Sequence, residues 1–100
     1  MTDHYLLAAA ACDALFRKVT PNLRSLSCEM RAGKVFIQYV YETEPSDDDN
    51  ELRYLFEGYF LVNLSSDADY DYELLVLGTA QTFKALSVKV YGRFEGMGLA

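Results

Sequence analysis

One hundred residues, 51% of them hydrophobic and 14% aromatic, suffice for one domain around a single modest core and exclude both a disordered chain and a multi-domain machine. Nine Lys and Arg against fifteen Asp and Glu give a formal net charge of -6, which argues against a nucleic-acid binder, since phosphate affinity comes from clustered bases. A basic protein is the partner that such a chain suits.

Thr2 and Asp3 can cap a first helix from about His4 to Lys18, with Leu6, Leu7, Ala10, Ala14, Leu15 and Phe16 on its apolar side. The run Ala8 to Ala11 is slim enough to lie close to a sheet, and Pro21-Asn22 ends the element. Leu23 to Met30 and Lys34 to Tyr41 then alternate, with Leu26, Cys28 and Met30 matching Val35, Ile37 and Tyr39, and read as two strands of a hairpin. A two-residue Ala32-Gly33 turn would pair Met30 with Val35 and Cys28 with Ile37, uniting the apolar faces. A three-residue loop with a Gly33 bulge is the chemical alternative, because Ala32 disfavours positive φ.

The acidity is local. Between Glu42 and Glu51 six of ten residues are acidic (Glu42, Glu44, Asp47, Asp48, Asp49 and Glu51), and a second group follows at Asp67, Asp69, Asp71 and Glu73. Pro45-Ser46 closes the hairpin and opens a second helix, with Ser46 as N-cap and Asp49 completing an approximate capping box. Leu52, Leu55, Phe56, Tyr59 and Phe60 recur at helical spacing and predict its buried stripe, and the helix should end near Asn63 or Leu64. Repulsion among Asp47, Asp48 and Asp49 offsets much of their interaction with the helix dipole, so the acidic run has little stability rationale of its own.

A third strand follows from about Tyr70 to Leu77, with Tyr70, Tyr72, Leu74 and Val76 on one face. Gly78 to Ala85 is a loop. Leu86 to Phe94 is a fourth strand, with Val88 and Val90 inward and Tyr91 outward. The order αββαββ implies an α+β fold, a four-stranded, mainly antiparallel sheet with two helices packed on one face. Residues 1–95 form a single domain, and 96–100 make a frayed tail.

Catalytic groups do not converge. His4 is the only histidine and stands at the start of a helix, and no phosphate loop, nucleophile elbow or HExxH occurs. Asp67, Asp69 and Asp71 have the first spacings of a calcium loop, but Tyr72 and Gly78 stand where its glycine and closing acid belong. No metal or cofactor is expected, and the chain reads as a binding protein rather than an enzyme. Cys12 and Cys28 read as small reduced hydrophobes. With neither a signal peptide nor an apolar run of membrane length, they place the chain in the cytoplasm, off the membrane. The acids together with Tyr41, Tyr54, Tyr70 and Tyr72 form the candidate partner surface, because tyrosine buries area at low entropic cost. A small ligand-binding or enzymatic α+β domain with a pocket between sheet and helices is the alternative, and a homodimer through a sheet edge is a third.

Pro21-Asn22-Leu23-Arg24 at the entry to the first strand, and Ser46 followed by Asp47, Asp48, Asp49 and Glu51 at the second helix, resemble a family of small acidic immunity proteins from bacterial toxin and contact-dependent growth inhibition systems. The likeness runs from Leu15 to Glu95 and departs at Gly78 to Phe83, where that family tends to a proline-rich connection. It implies a cognate toxin domain as partner, most often a nuclease, and inhibition by binding.

Overall fold

The computed structural model describes residues 3–64 and 69–93, with side chains from Leu6 onward. Asp67, the His4 side chain, Phe94 of the expected fourth strand and the tail 96–100 lie outside the described residues. The elements are α1 (Asp3–Leu15), β1 (Leu23–Arg31), β2 (Lys34–Tyr41), α2 (Asp47–Leu64), β3 (Tyr70–Val76) and β4 (Val88–Gly92). The expected order therefore holds.

Arg17, in the left-handed region at φ 63°, stops α1 short of the expected Lys18, and the Lys18 N–H caps the Leu15 carbonyl at 2.9 Å. Leu7, Ala10, Ala11, Ala14 and Leu15 are buried, whereas Leu6 and Phe16, expected beside them, are exposed.

The hairpin adopts the register that unites its apolar faces, with Met30 opposite Val35 and Cys28 opposite Ile37. Ala32 and Gly33 both take positive φ, 51° and 79°, as a tight two-residue turn of the primed type requires. Positive φ disfavours Ala32 by about 1 to 2 kcal/mol. A slip of one residue would turn Ile37 and Tyr39 away from the core that Cys28 faces, a larger penalty, and so the faces decide the turn.

The sheet order is β3-β2-β1-β4. β1 pairs antiparallel with β2 and β4, while β2 and β3 run parallel, so the sheet is mixed. The parallel pair follows from α2, which returns the chain along the sheet before β3 begins. Between Leu26 and Ser27 the β1–β4 register shifts, setting Tyr91 opposite Leu26 and Lys89 opposite Ser27. This bulge corrects the expected alternation of β4: Tyr91, read as outward, packs against the core with Val88 and Val90.

Both helices pack on one face around Leu7, Leu26, Ile37, Tyr39, Phe56 and Phe60. The opposite face is not left to solvent. The connection from Gly78 to Ser87 crosses it, and Arg24 donates to the carbonyls of Leu77 (3.1 Å), Gly78 (3.0 Å) and Gln81 (3.0 Å). Gln38 reaches the Lys84 carbonyl at 3.2 Å, and the Leu86 N–H donates to Ser27 Oγ at 3.0 Å. Ser27 and Gln38, which alternate out of the core, are therefore buried under this segment, each with a hydrogen-bond partner.

α2 departs from the expected stripe. Its buried residues are Asp49, Arg53, Phe56, Glu57 and Phe60, while Leu55 and Tyr59 are 46% and 55% exposed. The helix is turned by roughly 75° from the face that apolar spacing selects, with Phe56 and Phe60 common to both. Two charged side chains, Arg53 and Glu57, occupy the place of two hydrophobic ones; they form an ion pair, and Tyr39 and Tyr70 add hydrogen bonds to Glu57.

Candidate functional site

The acidic run divides by role. Asp49 points inward, and its carboxylate accepts hydrogen bonds from Thr20 Oγ1, from Asn22 Nδ2 at 2.9 Å and from the Ser46 N–H at 2.9 Å. The Asp49 N–H donates to Ser46 Oγ at 3.1 Å, completing the reciprocal capping box. Burial works to raise its pKa, but the bonds from Thr20, Ser46 and Asn22 outweigh that and hold it below the usual carboxylate range. Glu42 pairs with Arg93 at 2.9 Å. Glu44, Asp47, Asp48 and Glu51 are exposed, and Glu42, Glu44 and Asp48 line one shallow concavity with Thr20 and Asn22.

The second acidic group lies elsewhere. Parallel pairing sets Tyr70 beside Val35 and Val76 beside Tyr41, so Asp69 stands at the start of β2 while Glu42 and Glu44 follow its end. Six residue steps separate Val35 from Tyr41, about 20 Å of strand. Asp71 and Glu73 pair with Phe36 and Gln38 on the sheet face opposite the helices, and Glu73 accepts from Gln38 Nε2 at 3.0 Å. Asp69 stands 3.9 Å from Lys34.

The four candidate tyrosines converge more closely. Glu57 accepts from Tyr39 at 2.8 Å, from Arg53 at 3.1 Å and from Tyr70 at 3.2 Å. The Arg53 guanidinium carbon lies 4.5 Å from the Tyr54 ring centre and 5.0 Å from that of Tyr72, with Tyr39 at 5.8 Å. Tyr41 is stacked 6.5 Å from Tyr39 and is buried, so it faces the interior, whereas Tyr54 and Tyr72 are 64% and 42% exposed. Burial, reinforced by the Glu57 carboxylate, pushes the Tyr39 and Tyr70 phenols up. Burial, with the Asp49 charge behind it, pushes Tyr41 up to about 12. Burial opposes the Arg53 charge, yet Tyr54 and Glu57 more than offset it and raise its pKa. These groups keep fixed protonation states near neutrality and are not poised for proton transfer.

Around Leu15, Leu26, Tyr39, Tyr41 and Phe56 the space between sheet and helices is about 10 Å³, at most one water, and a cavity of about 160 Å³ opens among Leu6, Leu7, Met30, Val35 and Leu64. Among the described residues no group of three or more His, Cys, Asp or Glu could hold a metal ion. Cys28 is buried and its thiol pushed up to about 12, while Cys12 is exposed and unpaired. Among the described residues no helix is long and apolar enough to cross a membrane.

The profile of a family described as MafI2 immunity protein matches residues 4–95. The chain belongs to the MafI2 immunity protein family. No curated protein matches it. Membership makes it a toxin-neutralising immunity protein whose partner is a cognate toxin. In this MafI2 family member the residues that sequence reasoning missed are Arg53 and Glu57. Asp49, Arg53 and Glu57 at i, i+4 and i+8 were the available signal, since a charged row sharing a face with Phe56 and Phe60 must be paired within itself or hydrogen-bonded from elsewhere in the chain.

Proposed function

We propose that this MafI2 family member captures a basic toxin domain of the nuclease class through Glu42, Glu44, Asp47, Asp48 and Glu51, and inhibits it in the cytoplasm by stoichiometric binding without catalysis. The supporting observation is that Asp47, Asp48 and Glu51 stand exposed on the same outward side of α2 as Tyr54. A nuclease carries a basic surface for phosphates, which an acidic face complements by steering and by blocking. Asp69, Asp71 and Glu73, some 20 Å of strand away at one end and on the opposite sheet face, contribute to the long-range field more than to the contact.

Association of the purified protein with the toxin domain encoded beside it, followed by stopped-flow fluorescence, tests this reading. The association rate should fall steeply with added salt. Asp47→Lys, Asp48→Lys and Glu51→Lys together should lower it at least tenfold. An association rate insensitive to both salt and these substitutions would exclude acidic capture.

A further inference from the structure

α2 turns outward a face that no described part of the chain covers. Tyr54, Leu55 and Val62 lie on it, 64%, 46% and 71% exposed, with Glu51 among them and Asp47 and Asp48 at its N-terminal end. Tyr72 of β3 joins this face across Arg53.

Arg53 is the unusual member. Its side chain is 5% exposed and that of Glu57 is 6%, so the ion pair between them is fully desolvated. Two apolar residues of similar volume would usually stabilise a core as well or better. The pair also leaves Arg53 Nε buried without a hydrogen-bond partner among the described residues. Stability therefore does not explain it. What it does achieve is to set one planar cation against the rings of both Tyr54 and Tyr72, while Glu57, held by Tyr39 and Tyr70, fixes that cation from behind.

Aromatic rings immobilised before binding surrender little entropy on contact and make strong anchors. A cation on the inner side of each ring draws π density inward, so the outer side favours apolar or carbonyl-bearing groups over a further Lys or Arg. The basic groups of a partner then fall on Asp47, Asp48 and Glu51. A second copy of this chain does not fit, because a two-fold contact through this face would bring those carboxylates against their own like charges.

We infer that Tyr54, Leu55, Val62 and Tyr72 form the anchor that holds the cognate toxin, meeting an apolar patch ringed by cations, and that Arg53 and Glu57 are positioning residues that preset the two tyrosines. The inference rests on the proposed capture of a basic toxin and assigns the affinity within that surface.

The toxin domain encoded beside this chain, inactivated and immobilised, serves as the probe for dissociation rates. Tyr54→Ala, Leu55→Ala and Tyr72→Ala should each speed dissociation tenfold or more with association within about twofold. Arg53→Met combined with Glu57→Gln, which removes both charges of the buried pair, should keep a melting temperature close to that of the wild type and still speed dissociation tenfold. If that variant does not fold, Arg53→Lys is read instead: it retains a charge for Glu57 but not the planar group against the rings, and the same acceleration is expected. Wild-type dissociation in all three alanine variants overturns the anchor. Wild-type dissociation in the folded Arg53 variant overturns the positioning role. A chain that sediments as a dimer dispersed by Leu55→Asp overturns the choice of occupant. The combined Asp47→Lys, Asp48→Lys and Glu51→Lys variant reads the capture step separately: slowed association in it beside unaltered dissociation in the alanine variants removes the anchor alone, and the converse pattern removes the steering alone.

Discussion

Asp49→Ala separates the structural acid from its neighbours. The substitution deletes an acceptor shared by Thr20, Asn22 and the Ser46 N–H, which together tie the α1–β1 connection to the start of α2. A hydrogen bond to a charged group contributes about 1.5 to 3 kcal/mol, and a lost N-terminal cap interaction about 1. Thr20, Asn22 and Ser46 lie near enough to the surface to regain water, so the three bonds together are set at about 3 kcal/mol rather than their sum. In a domain of this size that lowers the melting temperature by roughly 12 to 20 °C. The pH dependence gives a second reading. The folded carboxyl is held below its usual range, so its contribution is complete above the unfolded pKa of about 3.9 and is lost as pH falls through the lower folded value. Urea unfolding should show a constant gap between wild type and Asp49→Ala from about pH 5 to pH 8, narrowing below about pH 4. Asp47→Ala and Asp48→Ala should stay within about 0.5 kcal/mol of wild type. A fall in melting temperature of less than about 3 °C for Asp49→Ala, or a gap as wide at about pH 3 as at neutrality, would refute this account of the capping network.

Other outcomes follow from the same geometry. Phe60→Ala removes a fully buried ring and should destabilise by about 3 to 5 kcal/mol in urea, whereas Leu55→Ala, buried if apolar spacing set the face, should change stability by no more than about 0.5 to 1, a contrast that fixes the rotation of α2. Ala32→Asn supplies the residue that a positive φ favours and should raise stability by about 1 kcal/mol; Gly33→Ala should lower it by a similar amount or more, both read by thermal unfolding. Cys12 should react with a thiol reagent at neutral pH within minutes, while Cys28 should react only on unfolding, which mass spectrometry after brief labelling resolves.

The parts of the fold legible in the sequence are those whose determinants are local. Met30, Cys28, Val35 and Ile37 alternate around one glycine, and Ser46 with Asp49 spells a cap within four residues, so the hairpin and the start of α2 could be read directly. The face of α2 could not. Counting apolar side chains selects Leu52, Leu55 and Tyr59, but the buried row carries Asp49, Arg53 and Glu57, and Thr20, Asn22, Tyr39 and Tyr70, which donate hydrogen bonds to its two carboxylates, are remote in the chain. The same remoteness hid the fate of Asp49 and Tyr41, two candidate contact residues that face the interior. It also hid the separation of the acidic groups, which depends on β3 pairing parallel to β2. Composition gives the sign of the surface charge, and only the topology gives its distribution.

The connection across the back of the sheet has a consequence for how such a chain can diverge. Arg24 grips the carbonyls of Leu77, Gly78 and Gln81, Gln38 takes the carbonyl of Lys84, and Ser27 receives the N–H of Leu86. Every one of these partners on the connection is main chain. The exposed side chains of Thr79, Ala80, Thr82 and Lys84 can therefore drift under mutation while the clamp persists, whereas Phe83, whose ring centre lies 5.1 Å from the Arg24 guanidinium carbon, and Gln81, which accepts from the Gly78 N–H at 2.8 Å, are part of it. Variation can accumulate there at little expense to folding, whereas Arg24, Gln38 and Ser27, buried on β1 and β2, have far less freedom to change.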